Sequence, residues 1–223
     1  MKKRLYFPIY ILMAGCNENP HNIVLKDTEN NRQEILKYHD DGALALRGYI
    51  KNEAAVGKWE EWYGSGEKKA EYSFLDGLEQ GERKTWYPSG QLAEQGEMRF
   101  GKQEGIWKMW YESGSPMAET AYEKGIETGE RIHWYESGKK KSQATVLGGL
   151  QNGLRTFWDE QGQIKARGYF KMDMKQGPEE YFSAEGVWSK TICFEADMVQ
   201  KTWTEIQPLF SETLCENLGD RKE

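Results

Sequence analysis

A strict internal repeat of 24 residues constrains this chain more than any other feature of its sequence. A glycine marks the same point of successive copies, at Gly57, Gly81, Gly105, Gly129, Gly153 and Gly177. A second glycine follows nine residues after each mark, from Gly66 to Gly186, and no residue is inserted or lost. Residues 33–56 are a degenerate first copy. A period of this length predicts an array of one repeated supersecondary unit.

Each copy has the pattern of a β-hairpin. With the repeat glycine counted as position zero, position five is aromatic in every copy, and a polar-Gly turn signal follows it: Tyr38, Trp62, Trp86, Trp110, Trp134, Trp158 and Phe182. A stretch of alternating apolar and polar residues comes next, as in Ala70, Tyr72 and Phe74, and predicts a half-buried strand. Because one hairpin is not stable alone, we expect an all-β fold, an elongated single-layer meander of stacked hairpins.

The repeat also predicts the domain boundaries. The array extends over 33–194, with copies that start at 33, 57, 81, 105, 129, 153 and 177. The tail, 195–223, departs from the period and contains four apolar residues at helical spacing before Gly219: Leu209, Phe210, Leu214 and Leu218. We expect this tail to form a short C-terminal helical cap on the array.

The N-terminus has the pattern of an export signal. Three basic residues precede a short apolar stretch, Leu5 to Met13, which is too short to span a bilayer. Ala14 and Gly15 before Cys16 resemble a bacterial lipobox, which implies removal of 1–15, lipidation of Cys16 and, because Asn17 follows, outer-membrane sorting. An ordinary signal peptide with an unrelated cysteine is the alternative. The polar residues 17–32 predict that 16–32 is a lipidated tether in the cell envelope.

Charge and cysteine content limit the partners and the compartment. Removal of 1–15 changes the formal charge from −6 to −9, because three basic and no acidic residues are lost. An acidic chain of this kind is a poor ligand for nucleic acid. Cys193 and Cys215 are the two cysteines besides Cys16, and spacing leaves open whether they form a disulfide or stay reduced and buried.

The repeat resembles a known family. The glycine, the aromatic pair, the polar-Gly turn, the alternating strand and the later Gly77, Gly101, Gly125 and Gly149 are similar to the MORN repeat. In particular it resembles the bacterial variant of YwqK-type antitoxin proteins, and the resemblance covers about 33–194. The resemblance implies a binding protein, and one specific version is an antitoxin or immunity protein that binds a toxin.

Two rows of side chains are the candidate binding residues. Position six follows the tryptophan of position five, and alternation along a strand predicts that the two rows lie on opposite faces. We expect the tryptophans to fill the inner face, and position six to share the other face with position two. Since Tyr, Trp and Arg are enriched at binding hot spots, the predicted partner-binding residues are Trp59, Tyr63, Arg83, Tyr87, Trp107, Tyr111, Arg131, Tyr135 and Arg155. A ladder of cross-strand pairs that only stabilises the sheet is the alternative.

The sequence offers little for catalysis. GEMRFGKQ (96–103) resembles a phosphate-binding loop, but it ends in Gln103 and both of its glycines belong to the repeat. His21, His39 and His133 have no metal-ligand spacing. We therefore expect no enzyme, no cofactor and no metal, but a lipid-anchored envelope protein with a protein partner. The alternative is an envelope scaffold that binds lipid or glycan through its aromatic face.

Overall fold

The computed structural model describes residues 23–28 and 31–204, and every regular element in these ranges is a β-strand. The described residues divide into two compact units. The first runs up to Leu92 and includes Glu97–Lys102, and the second comprises Ala93–Gly96 and continues from Gln103. In each unit the strands form an open antiparallel sheet of hairpins, so the predicted all-β hairpin fold is confirmed.

The first unit contains β1, which precedes copy one, the strands of copies one and two and the first strand of copy three. Each long strand pairs antiparallel with the long strand that follows it. The strands are β1 (Ile23–Thr28), β2 (Arg32–Tyr38), β3 (Leu44–Lys51), β4 (Ala54–Ala55), β5 (Gly57–Trp62), β6 (Lys68–Leu75), β7 (Leu78–Glu79) and β8 (Gly81–Trp86). The boundary between the units runs through β9 (Leu92–Arg99) and the first residue of β10.

The second unit repeats the same arrangement with longer strands. Its strands are β10 (Lys102–Trp110), β11 (Pro116–Glu123), β12 (Ile126–Trp134), β13 (Lys140–Leu147), β14 (Leu150–Trp158), β15 (Ile164–Lys171), β16 (Met174–Phe182), β17 (Trp188–Glu195) and β18 (Met198–Trp203). All consecutive pairs from β10 to β18 are antiparallel. A step of 24 residues therefore moves the chain by two strands.

Two kinds of turn connect the strands. At one end of the strands a tight turn follows position five, and in copy two Gly66 N–H donates to the Tyr63 carbonyl at 2.9 Å. At the other end of the strands two-residue loops have positive φ at both residues, such as Asp76 (50°) with Gly77 (81°). This is the type I′ turn that suits the twist of a hairpin. Successive type I′ turns are joined, because Gly149 N–H donates to the Glu127 carbonyl at 2.9 Å.

The core of the first unit is a cluster on one face of the sheet. Trp59 is its largest member, and its ring lies directly over the backbone of Gly48. A Cβ added at Gly48 would lie 2.2 Å from Trp59 Cδ2, so only glycine fits there. The other members are Ile35, Ile50, Ala55, Ala70 and Tyr72, with Leu46 and Phe74 packed against them. Gly96 and Trp107 form the same pair in the second unit, again at 2.2 Å.

The structure shifts two of the predicted boundaries, and other predicted segments lie outside the described residues. The predicted tether, 16–32, was wrong over Ile23–Thr28, because these residues form β1 and pair with β2. The predicted end of the array at 194 was also too early, because β18 (Met198–Trp203) pairs with β17 in the pattern of the preceding copies. The predicted signal segment, Cys16 and the helical cap (Leu209 to Leu218) lie outside the described residues.

None of the residues that the structure describes forms a helix, so this part of the chain contains no helix able to cross a membrane.

Candidate functional site

The residues at position two are interior rather than surface residues in two copies. Trp59 and Trp107 are only 3% and 4% exposed. Each packs edge to face against an aromatic ring of its own copy, Trp59 against Phe74 at 5.5 Å and Trp107 against Tyr122 at 6.3 Å between centroids. The predicted placement of these two rings on an accessible face was wrong, because each fills the space over a glycine of the preceding strand.

The tryptophans at position five do not form the buried inner row that the alternation predicts. Trp62, Trp86, Trp110, Trp134 and Trp158 are all half-buried. A β-bulge just before position five, for example between Glu61 and Trp62, breaks the alternation on which the prediction depended. Lysine ammonium groups lie beside two of these rings, with Lys68 Nζ 5.8 Å from the Trp86 centroid. The row is therefore partly accessible to solvent.

The side chains at position six connect each tight turn to the next copy. Tyr63 donates its hydroxyl hydrogen to the carbonyl of Trp86 at 2.7 Å. Tyr111 and Tyr135 repeat this bond to Trp134 and Trp158 at 2.8 Å, and His39 Nε2 lies 3.0 Å from the Trp62 carbonyl. Tyr87 is half-buried at the same position of its copy. Side chains of this row therefore hydrogen bond one copy to the next.

The arginines at position two are half-buried and have different partners. Arg83 forms an ion pair with Glu79 at 3.0 Å, and Arg131 forms one with Glu127 at 2.9 Å. In the next copy the residue four positions before the arginine is Gln151, and Arg155 donates to its Oε1 at 3.0 Å. Arg155 therefore has a neutral acceptor where the other two arginines have a carboxylate.

Exposed apolar side chains at the type I′ turns are a feature that sequence reasoning missed. Position 21, the residue after each turn, is apolar and between 37% and 64% exposed in four successive copies of the second unit. We call this set the apolar ridge: Ile126, Leu150, Met174 and Met198. Its members are adjacent, because the turns that carry them are hydrogen bonded to one another. Counting hydrophobic residues at position 21, outside the aromatic rows, would have found the signal.

The opposite face of the first unit carries a network of four charges. Lys58 and Lys68 lie between Glu60 and Glu71, with N–O distances from 2.6 to 3.1 Å. The hydrogen bond from Lys68 lowers the pKa of Glu60. Because all four side chains retain contact with solvent, the network contributes little to stability and suits a solvated face.

Cys193 is fully buried and is part of a disulfide. Its predicted partner, Cys215, lies outside the described residues, so the pairing stays a prediction.

The described residues hold no group of three or more His, Cys, Asp or Glu side chains that could bind a metal ion. His133 lies near three cationic side chains and is exposed at the surface. Desolvation, followed by the charges of Arg131, Arg155 and Lys141, lowers its pKa. Chemically, this part of the molecule offers positive charge and aromatic surface rather than a nucleophile with a paired base.

The fold and these rows define a class of hairpin-repeat protein whose turns recur with the same geometry from copy to copy. Four segments match the family model described as the MORN repeat variant: 79–99, 103–124, 127–146 and 151–172. These matches support a MORN-repeat protein, and MORN repeats are generally protein- or membrane-interaction repeats. None of the curated proteins matches the chain.

Proposed function

We propose that this protein is a non-enzymatic, lipid-anchored protein of the bacterial cell envelope that binds a protein partner through its repeat array. The observation that carries the proposal is the apolar ridge. Four apolar side chains at the same position of successive copies are exposed. Contiguous exposed apolar surface of this kind is typical of interaction sites.

The repeat explains why such a surface can bind. The residues of the ridge recur at the same place in four successive copies, next to type I′ turns whose backbone is fixed by hydrogen bonds between neighbouring copies. A rigid row of this kind loses little conformational entropy when a partner docks. Trp59 and Trp107 are not part of this surface, because they are buried.

The experiment replaces the ridge and keeps the fold. Ile126→Ser, Leu150→Ser and Met174→Ser are combined, and co-purification with the product of an adjacent gene is compared with the parent protein. The matched control replaces three exposed charged residues directly before the same turns by serine, namely Glu123, Lys171 and Glu195. We expect the ridge variant to lose the partner and the control to retain it. Equal retention by both variants would exclude the ridge as the binding surface.

An immunity role is the specific version of this proposal, and the resemblance to YwqK-type antitoxin proteins is its support. In that version the partner is a toxin that the protein blocks. Cells that produce the partner should survive only when this protein is present, and the ridge variant should not protect them. Survival without this protein would argue against the immunity role while leaving partner binding intact.

The second candidate is an envelope scaffold that binds lipid or glycan. The half-buried tryptophans of position five favour it, because partly exposed aromatic rings suit stacking on sugars. Binding to purified peptidoglycan or lipopolysaccharide, reduced in Trp134→Leu with Trp158→Leu and unchanged in the ridge variant, would favour this candidate over a protein partner.

Lipid anchoring through Cys16 is proposed from the resemblance to a lipobox. Mass spectrometry of the mature N-terminus should find an acylated Cys16 in the membrane fraction. Cys16→Ser should remove the acyl mass and release the protein from membranes, since stable attachment depends on the lipid chains. An unmodified mature N-terminus at another residue would overturn anchoring and leave the binding proposal untouched.

A further inference from the structure

On the core-side face of the second unit, Arg155 lies between Arg131 on one side and Glu179, across Gly168, on the other. The residues at position two lie in one row across the sheet, and the residues on the strands between them are small. In this row Ala144 pairs with Arg131 on one side and with Arg155 on the other. The two arginines are therefore two strands apart, about 10 Å. Ala144 is buried and too small to screen one guanidinium from the other.

The neighbouring carboxylates are already occupied by other cations. Glu127 is paired with Arg131 at 2.9 Å, and Glu179 is paired with Lys175 at 2.6 Å and accepts the Tyr181 hydroxyl at 2.8 Å. Arg155 forms no ion pair with any carboxylate among the described residues. Its hydrogen-bond acceptor is the neutral amide of Gln151, at 3.0 Å.

The guanidinium of Arg155 is also held in one place. Its Cζ lies 4.2 Å from the centroid of Phe157, which fixes one flat side of the group. Its Nε is buried and makes no hydrogen bond within the described part of the chain. The side chain as a whole is half-buried, so part of it stays accessible. An oriented guanidinium that forms no ion pair is available to bind an anion.

The same position in other copies indicates which anion fits. In two copies of the array the arginine at position two is paired with a glutamate four residues before it, Arg83 with Glu79 and Arg131 with Glu127. Gln151 replaces that glutamate in front of Arg155. We propose that Arg155, with Arg131 and His133 beside it, binds a carboxylate supplied by another molecule.

This site deepens the proposed function, since the protein partner would contribute an acidic side chain or its C-terminal carboxylate. Desolvation and the charge of Arg131 lower the pKa of Arg155, and the charge of Glu179 opposes this shift. The groups around His133 are the cations Arg131, Arg155 and Lys141 and the anion Glu127. A bound carboxylate would offset part of this excess of positive charge.

The test uses small probes, so it does not depend on finding the partner. The full chain is titrated with N-acetylaspartate amide, and the NMR signal of the Arg155 Nε–H group is followed. N-acetylasparagine amide, which has the same shape without the charge, is the matched probe. We expect a saturable shift with the aspartate probe that is about tenfold stronger in apparent affinity than any response to the asparagine probe.

The decisive variant is Gln151→Glu, which restores the pairing seen at Arg83 and Arg131. It should lower the affinity for the aspartate probe about tenfold or more, because the internal carboxylate competes for the guanidinium. Glu79→Gln tests the converse and should create a response at Arg83. Unchanged affinity in Gln151→Glu, or binding of inorganic phosphate with no response to the aspartate probe, would overturn the carboxylate site.

Discussion

At the scale of single residues, two copies are packed around a pair of a tryptophan and a glycine. The ring of Trp59 lies over Gly48, and the ring of Trp107 lies over Gly96. Interiors are packed densely enough that one added methyl group must displace a neighbour. The glycines of the turns have a different role, because they supply positive φ, as Gly77 does in its type I′ turn.

Gly48→Ala should destabilise the protein by about 1–3 kcal/mol, because its Cβ would overlap the Trp59 ring and force it to move. Urea unfolding measures the change. Gly64→Ala is the control, because no atom lies within 4 Å of its added Cβ, and it should stay within about 0.5 kcal/mol of the parent. Equal stabilities of the two variants would contradict the packing argument.

Tyr72 predicts an alkaline limit to stability. Burial, followed by the charge of Glu61, raises the pKa of Tyr72, and its hydroxyl donates to Glu61 at 2.8 Å. The folded pKa lies above the unfolded value of about 10. The contribution of the hydroxyl is therefore complete below pH 10 and is lost as the pH rises above 10 towards the folded pKa.

Urea unfolding of the parent and Tyr72→Phe checks this linkage. The stability difference between them should be constant from pH 7 to 9. Above pH 10 the difference should shift against the parent by up to about 1.4 kcal/mol per pH unit. A difference that is the same at pH 11 as at pH 8 would show that the folded and unfolded pKa values of Tyr72 are equal.

At the scale of the hairpin, hydrogen bonds between copies hold the turns in order. A side chain at position six reaches the position-five carbonyl of the next copy, and a type I′ turn bonds to the strand before it. These contacts connect neighbouring copies only, as expected for a repeat protein in which stability is a sum of local terms.

Tyr63→Phe should cost about 1 kcal/mol, because the half-buried carbonyl of Trp86 loses its hydroxyl donor at 2.7 Å. Thermal and urea unfolding provide the measurement. Tyr38→Phe is the matched control, since the Tyr38 hydroxyl has no hydrogen bond among the described residues. A loss of stability as large in the control as in Tyr63→Phe would rule out the hydroxyl as the cause.

At the scale of the molecule, the constant period makes whole copies interchangeable within the second unit. Each strand from β11 to β17 pairs with the strand before it and the strand after it, and the cross-strand pairs recur every 24 residues. Thr120 faces Arg131 just as Ala144 faces Arg155. Removing a complete copy therefore preserves every type of pair.

Deletion of 129–152 should give a folded protein with a cooperative melt, because Thr120 would then face Arg155 in the normal register. Its Tm should be lower, because one stabilising copy is lost. Circular dichroism and calorimetry test this outcome. Deletion of half a period, 141–152, is the control, because it places the wrong strand of the repeat opposite β12 and should abolish cooperative unfolding. Failure of both deletions to fold would contradict the interchangeability of copies.

The sequence by itself determined the fold, because a period of 24 with glycines at fixed places admits one arrangement of turns and strands. It did not determine which aromatic row is buried. Alternation places position five and position six on opposite faces, but the bulge before Trp62 and the turn at Tyr63 interrupt the strand at that point. Local bulges depend on cross-strand pairing, which the sequence of one strand does not contain.

The tertiary structure also decided which residues are accessible. The exposure of the apolar ridge and the absence of an ion pair at Arg155 depend on the contacts between strands. Leu150 is exposed, for example, while the similar Val146 on the adjoining strand is buried. The sequence shows that Gln151 stands where two other copies have a glutamate. Only the structure shows that Gln151 is the hydrogen-bond acceptor of Arg155. The period therefore fixes the scaffold, and contacts between copies decide which side chains remain to bind another molecule.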